Sequence, residues 1–149
     1  MKKPILLVSA CLLGVCCRYD GACKPNADVI KLRESFVLIP ICPEVDGGLP
    51  TPRTPSERVG DRVLMRDGKD VTENYLAGAR AALERAESFS ASAAILKARS
   101  PSCGSGEIYD GSFSGKLTVG DGVAAEMLKK AGIAVYTEDE IGLLLEKMG

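Results

Sequence analysis

The chain has 149 residues, a length that favours one domain around one sizeable core. Hydrophobic residues make up 46% and charged residues 26%, which is the balance of a globular protein and not of a disordered one. The net charge of −1 gives no electrostatic sign of nucleic acid or membrane binding, and the absence of histidine excludes Ser-His-Asp triads, Cys-His pairs and histidine zinc sites.

The first half of the chain predicts two strands and a hairpin. An apolar run at 4–9 predicts a buried strand, which leads into a cysteine-rich loop and a short helix that opens at Pro25-Asn26. Residues 36–41 predict a second buried strand. The Gly- and Pro-rich stretch 47–57 predicts a stiff, irregular loop, and 62–72 predicts a small hairpin that turns at Asp67-Gly68.

The second half adds two strand–helix units. An apolar stripe predicts the longest helix over 72–89, with Thr72 as its N-cap. Residues 93–97 predict a third buried strand, and the Gly- and Ser-rich loop over 99–121 is interpreted as a lid over a substrate. The remaining predicted elements are a helix at 123–131, a strand at 133–136 and a helix at 139–148.

This alternation of short apolar strands with helices predicts an α/β fold. Because right-handed crossovers join parallel strands and cover both faces of the sheet, we expect a Rossmann-like or flavodoxin-like three-layer sandwich. Its central, mostly parallel sheet would have about four strands and be accompanied by a small hairpin. We expect residues 1–149 to form a single domain.

The N-terminal stretch MKKPILLVSAC resembles the start of a lipoprotein signal. Only seven residues separate Lys3 from Cys11, however, and a signal peptide normally has a longer apolar region. No apolar stretch approaches the roughly 20 residues that cross a bilayer. We therefore expect a cytoplasmic protein without membrane attachment, in which cysteines bind metal or react more often than they form disulfides.

Three cysteines fall just beyond the carboxyl ends of three predicted strands: Cys11, Cys42 and Cys103. Parallel sheets bind ligands at this edge, and neighbouring strands lie about 4.8 Å apart, so the three thiolates can meet around one inorganic centre. Thiolates select zinc, Cu(I) or iron–sulfur clusters. Because no C-x2-C pair occurs, an iron–sulfur cluster suits the pattern at least as well as zinc.

The other candidates have both a structural and a functional interpretation. Cys17 could supply a fourth ligand, whereas Cys16 and Cys23 are more typical of small buried side chains. Glu44, two residues after Cys42, is either a solvated loop acid or a general base. Small polar or aromatic residues near the third strand could shape turns, pack on the core or contact a planar ring: Ser100, Ser102, Tyr109 and Phe113.

Five blocks of sequence run in order over nearly the whole chain: SACLLGVCCRYDG, CPEVDGGLPTPRTPSE, DVTENYLAGA, AILKARSPSCGSGEIYDGSFSG and GDGVAAEMLKKAGIAVYTE. Together they resemble the short bacterial thiouracil desulfidase family. The resemblance implies a 4Fe-4S cluster that three cysteines hold, with its fourth iron open to the sulfur of the substrate. It implies the ligands Cys11, Cys42 and Cys103, with Cys17 as the alternative to Cys42, and it assigns the chemistry to Glu44 and Ser100.

The implied reaction converts 4-thiouracil and water into uracil and hydrogen sulfide without net redox change, so the expected partner is a small thiolated pyrimidine. One alternative is a desulfidase for thiouridine nucleotides or thiolated tRNA, whose phosphate would bind the cations near the mouth of the site: Lys97, Arg99, Arg53 and Arg58. The other alternative is a non-catalytic metal or iron–sulfur module with four protein ligands. Arg18 and Asp20 are either surface charges or clamps for the substrate, and their spacing is compatible with both roles.

Overall fold

A computed structural model describes residues 3–148. Eight strands occur in this range: β1 (Ile5–Ser9), β2 (Val37–Ile41), β3 (Ser56–Val59), β4 (Arg62–Met65), β5 (Ala93–Leu96), β6 (Glu107–Tyr109), β7 (Leu117–Val119) and β8 (Ala134–Thr137). The α-helices are α1 (Ala27–Lys31), α2 (Pro43–Asp46), α3 (Thr72–Ser88), α4 (Val123–Lys130) and α5 (Ile141–Met148). Short 3-10 helices cover Ala10–Leu13, Leu32–Glu34 and Glu138–Glu140.

The central sheet has four strands in the order β2-β1-β5-β8, and every neighbouring pair is parallel. The chain reverses direction across the sheet between β1 and β5, because β2 lies on one side of β1 and the later strands lie on the other. This is the flavodoxin-like order, in which the switch point is the usual place for a ligand. The predicted parallel sheet of about four strands is confirmed.

Helices cover both faces of the sheet, as expected for parallel strands. On one face, Leu6, Val8 and Ile95 of the strands pack with residues of α1 and α5. On the other face, alternate residues of the same strands, such as Leu7 and Ala94, pack with α3 and α4. The alternation along β1 therefore feeds two cores, and the three-layer sandwich is confirmed.

The hairpins differ from the prediction. β4 pairs with β3 through a two-residue loop that begins with Gly60 at φ 61°, so the end of the supposed loop 47–57 is a strand. The Gly-Asp sequence of that turn is a recognised hairpin signal. A turn at Asp67-Gly68 exists, but it leads only to an isolated bridge between Leu64 and Asp70. The predicted loop over 99–121 also contains a second hairpin, β6–β7.

Two further local predictions are wrong. β2 is an edge strand and not a buried one, with Val37 42% exposed. Pro40 within it indicates an edge, because proline has no N–H to donate and is tolerated where that position faces away from the neighbouring strand. Thr72 is the first residue of α3 and not its N-cap: its hydroxyl accepts from the Val63 amide and donates to Asp70.

The N-terminal apolar run is part of the core. Residues of β1 are fully buried at the centre of the sheet, and Cys11 is only 8% exposed. The apolar residues of the stretch that resembles a lipoprotein signal thus form a central strand, and Met1 and Lys2 lie outside the described residues. Among residues 3–148, no helix combines the length and the apolar character that a bilayer crossing requires.

A close helix contact fixes the residues that follow β2. A Cβ atom at Gly78 of α3 would overlap the carbonyl of Pro43, so only glycine lets α2 approach α3 this closely. The Asn74 side chain adds a hydrogen bond to the carbonyl of Gly47, at the end of α2. The contact holds α2 at the carboxyl end of the sheet, and Glu44 lies in its first turn.

Candidate active site

A cavity of about 630 Å³ opens at the carboxyl ends of β1, β2 and β5, next to the switch point of the sheet. It is lined by all six residues that the sequence predicts as cluster ligands or catalytic groups: Cys11, Cys17, Cys42, Cys103, Glu44 and Ser100. All six follow the carboxyl ends of three parallel strands: two follow β1, two follow β2 and two follow β5. The strand-end argument therefore correctly places these side chains at one edge of the sheet.

Four free thiols face this cavity: those of Cys11, Cys17, Cys42 and Cys103. The Cys11 and Cys42 side chains both interact with that of Cys17, and the Cys42 thiol also lies 3.9 Å from the carbonyl oxygen of Cys17. Cys103 lies next to Ser102, whose Oγ is 3.4 Å from its Sγ.

Without a bound metal, the surroundings of three cavity thiols, those of Cys17, Cys42 and Cys103, favour the protonated form. The neighbouring Cys11 thiol is the largest cause that raises the pKa of Cys17, and the Cys17 thiol, followed by burial, raises the pKa of Cys42. Burial raises the pKa of Cys103 to about 12. A metal would have to displace these protons, since the thiolate is the ligand.

Cys16 and Cys23 do not belong to this group. The expectation that they are small buried side chains is wrong, because both are exposed and form a disulfide with each other. The disulfide closes part of the cysteine-rich loop, with Cα atoms 4.3 Å apart. It also separates the six cysteines into an exposed pair and the four free thiols of the cavity.

The donor set of the cavity fits an iron–sulfur cluster better than a single ion. Thiolates are the protein ligands of such clusters, and four thiols face the cavity. Among residues 3–148, no three Cys, Asp or Glu side chains converge closely enough to bind one metal ion. A polynuclear cluster does not need that convergence, because each thiolate binds a different iron atom.

Glu44 reaches the serines that follow β5. Its Oε2 accepts a hydrogen bond from Ser102 Oγ at 3.2 Å and lies 3.5 Å from Ser100 Oγ. The two hydroxyls are 3.0 Å apart, and the Ser100 oxygen also accepts from the amides of Ser102 and Cys103. Ser100 is thus both a turn residue and a neighbour of Glu44, while Ser102 connects Glu44 to Cys103.

The other oxygen of Glu44 is held by Arg53. Arg53 Nε donates to Glu44 Oε1 at 3.0 Å, and its side chain is only 3% exposed. The same guanidinium donates to the carbonyl of Cys17 at 2.9 Å and to the carbonyl of Pro50 at 3.0 Å. Arg53 is therefore not a surface charge, and most of its donors are used within the protein.

Most of the cations proposed to hold a phosphate are also engaged. Lys97 pairs with Glu138 at 2.8 Å, and Arg58 pairs with Glu126 at 3.0 Å. Arg58 does not line the cavity, whereas Arg99 does. Arg18, which also lines the cavity, is 3.4 Å from Asp20. A phosphate would thus have to compete with carboxylates for most of these side chains.

Several cavity residues carry no signal in the sequence. Tyr75 of α3 is 1% exposed, and burial, followed by the charge of Glu44, raises its pKa. Tyr75 belongs to the helical stripe that sequence periodicity assigns only to the core. Glu57 of β3 and Arg66 also line the cavity. They lie near the hairpin whose pairing the sequence prediction misses, so their position could not be deduced.

Comparisons with known proteins agree with this site. A family model described as 2-thiouracil desulfurase matches residues 6–140. The chain belongs to that family. The resemblance that the five sequence blocks carry is thus confirmed, and membership indicates an enzyme that acts on thiouracil.

Two known proteins are similar to this chain over nearly its whole length. The uncharacterized protein YbbK of Bacillus subtilis (strain 168) is 43% identical in an alignment 151 residues long, which covers 95% of this chain and 100% of YbbK. A solved structure of the 4Fe-4S-dependent thiouracil desulfidase TudS is 41% identical, with a TM-score of 0.88 over 99% of this chain and 98% of that chain.

Proposed function

We propose that the protein hydrolyses the carbon–sulfur bond of thiouracil with the aid of a 4Fe-4S cluster. The observation that carries the proposal is the meeting of four free thiols, Glu44 and two serine hydroxyls at one cavity, in a chain of the 2-thiouracil desulfurase family. TudS, the solved relative, is named a 4Fe-4S-dependent thiouracil desulfidase, which supports the same cofactor here.

Cys11, Cys42 and Cys103 would hold the cluster, and Cys17 is the alternative to Cys42. When bound, a cluster with one iron that the protein does not ligate supplies a Lewis acid for the soft sulfur of the substrate. The fourth cavity thiol then remains a neighbour of the cofactor and not a ligand. A saturated four-ligand module is the competing arrangement, and it would leave no iron for a substrate.

The residues of the chain would supply the proton transfers. Glu44 Oε2 is the candidate base for a water molecule, since Ser100 and Ser102 already orient their hydroxyls around this atom. Arg53 holds Glu44 Oε1 and thereby turns Oε2 toward the serines. Replacing C=S with C=O consumes one water and releases hydrogen sulfide, with no change in net oxidation state.

The substrate would be a free thiolated pyrimidine. The pairing of Lys97 and Arg53 with carboxylates argues against the nucleotide and tRNA alternatives. We treat residues 1–149 as one desulfidase domain, because the family match extends over 6–140. A cytoplasmic location is part of the proposal: the four free thiols of the cavity support it, whereas the exposed Cys16–Cys23 disulfide is unusual for that compartment.

The decisive experiment is anaerobic reconstitution with iron and sulfide, followed by assays with 2-thiouracil and 4-thiouracil. We expect a brown protein that forms uracil and hydrogen sulfide from at least one of them. Comparing the free base with 4-thiouridine, its monophosphate and thiolated tRNA tests the alternatives. A protein that binds zinc, or one whose cluster is complete but turns over none of these substrates, would contradict the proposal.

Glu44→Gln tests the base. The amide keeps the size and most hydrogen bonds of the carboxyl group but cannot take a proton, so turnover should fall by about 100-fold or more while the absorbance of the cluster is retained. The matched control is Glu73→Gln, at an exposed position of α3 outside the cavity. Full activity of Glu44→Gln would remove Glu44 from the mechanism.

A further inference from the structure

A second carboxylate, on Glu57, faces the cavity without an assigned role. Glu57 is 9% exposed and has no Lys or Arg nitrogen within ion-pair distance among residues 3–148. Its Oε1 accepts two hydrogen bonds, from the Gly111 amide at 2.9 Å and the Phe113 amide at 3.1 Å. Within the same part of the chain, Oε2 has no hydrogen-bond partner.

The free oxygen is reached from the cavity. No fully buried side-chain oxygen or nitrogen in the described range lacks a partner, so Glu57 Oε2 must retain contact with solvent. Glu57 is otherwise enclosed and lines the cavity, which is the space through which solvent would reach that oxygen. A carboxylate that is nine-tenths buried and lacks a cation is costly, and a hydrogen-bond donor on a ligand would offset that cost.

One of the two amides that donate to Glu57 belongs to Phe113, an aromatic residue that lines the same cavity. Phe113 has φ 56°, a left-handed conformation that an aromatic residue rarely adopts. Its ring lines the cavity, and the Arg66 guanidinium lies 5.8 Å from the ring centroid. Strained backbone of this kind is found at sites that need a side chain in one position.

We propose that Glu57 and Phe113 form the recognition site for the pyrimidine ring: Glu57 Oε2 accepts a hydrogen bond from a ring N–H, and Phe113 stacks on the ring. The inference rests on the proposed function and adds the basis of its specificity. Thiouracil is planar and carries two ring N–H groups, which match one carboxylate acceptor and one aromatic face. A pyrimidine without that N–H leaves the buried carboxylate unpaired and is rejected.

Glu57→Gln is the sharpest test, because the amide is isosteric. Its carbonyl oxygen continues to accept from Gly111 and Phe113, and its NH2 group presents donors to the cavity in place of the acceptor. We expect KM for thiouracil, and Kd for uracil measured by equilibrium dialysis, to rise by about 10- to 100-fold. We expect kcat to fall by less than about threefold and Tm to change little. Glu107→Gln, at an exposed position on β6, is the matched control.

Methylated substrates identify the bond that is read. Glu57 accepts a hydrogen bond from only one ring nitrogen, so methylation of 4-thiouracil at that nitrogen, N1 or N3, should weaken binding to the original protein by a similar factor. The same methyl group should weaken binding to Glu57→Gln little further. Phe113→Leu removes the stacking face but keeps the backbone amide that donates to Glu57, and we expect a rise of about tenfold in Kd for uracil. This second variant keeps the test open if Glu57→Gln is poorly folded.

The outcomes separate this inference from the proposed function. Turnover of thiouracil with unchanged KM and Kd in both variants overturns the recognition site and leaves the desulfidase intact. Uracil binding that depends on Glu57, in a reconstituted protein that turns over no thiolated pyrimidine, retains the recognition site and overturns the desulfidase. Equal effects in Glu107→Gln would show a general change of charge and would also overturn the inference.

Discussion

Arg53 connects two parts of the site that the sequence leaves separate. One guanidinium contacts the carboxylate of Glu44 and the carbonyl of Cys17, which lie 27 positions apart in the chain. Removing a donor from this enclosed pair would leave the Glu44 oxygen without its partner, and such losses are large when the groups are shielded from water. The residue therefore positions the candidate base and does not react itself.

Arg53→Lys tests this positioning. Lysine keeps the charge but cannot reproduce the planar set of donors, so Glu44 and the Cys17 carbonyl cannot both remain bound. We expect kcat to fall by about 10- to 100-fold with KM nearly unchanged, because misplacement of a catalytic group by about 1 Å has effects of this size. Steady-state kinetics on the reconstituted enzyme measures both constants.

Arg58→Lys is the control for that substitution. Arg58 also pairs with a carboxylate, that of Glu126, but lies outside the cavity. Arg53→Lys should lower Tm more than Arg58→Lys does, because its ion pair is the more enclosed of the two, and only Arg53→Lys should lower kcat. A normal kcat in Arg53→Lys would mean that Glu44 needs no guanidinium to hold it.

At the scale of elements, the carboxyl ends of the parallel strands could be predicted because their apolar runs and crossover helices leave little choice of topology. Cys11, Cys42 and Cys103 follow from that register. The partners of Glu44 could not be deduced, since Ser102 and Arg53 reach it through loops whose geometry has no periodic signal. Likewise, the pairing of β3 with β4 depends on the two-residue turn that begins at Gly60. The Gly- and Pro-rich stretch before this turn predicts a loop, so the start of β3 could not be recognised.

The element that supplies the third cluster ligand is testable. If the ligand is Cys42, at the end of β2, Cys42→Ser should lose most of the iron and acid-labile sulfide of the reconstituted protein. Cys17→Ser, in the cysteine-rich loop, should then retain both. Iron and sulfide content per chain, together with visible absorbance, gives the answer without an activity assay.

Cys11→Ser and Cys103→Ser are the positive references for that comparison, because both should lose the cluster on either assignment. The reverse pattern, with the cluster lost only in Cys17→Ser, would exchange the roles of Cys17 and Cys42. Loss in all four variants would instead support the saturated module with four protein ligands.

For the whole molecule, the buried thiols couple stability to pH. Burial raises the pKa of Cys103 to about 12 in the folded chain, so between about pH 9 and pH 12 the folded state keeps a proton that the unfolded state has lost. The contribution is fully present below pH 9 and is lost as pH rises toward 12. One such thiol lowers the free energy of unfolding by about 1 kcal/mol between pH 8 and pH 10.

Chemical denaturation of the cluster-free, reduced protein at these two pH values measures this loss. Cys103→Ala provides the comparison, since the other titrating groups remain and only this thiol is removed. The variant should lose less stability than the original protein by about the stated amount. Equal losses in both would mean that the Cys103 thiol ionises as easily in the folded chain as in the unfolded one.

The order of the strands also has a consequence for biosynthesis. Cys103, which follows β5, is made 92 residues after Cys11. β5 must then insert beside β1 before their loops share one rim. A nascent chain that lacks β5 would offer iron and sulfide an incomplete set of the proposed ligands, so cofactor loading has to wait for this strand.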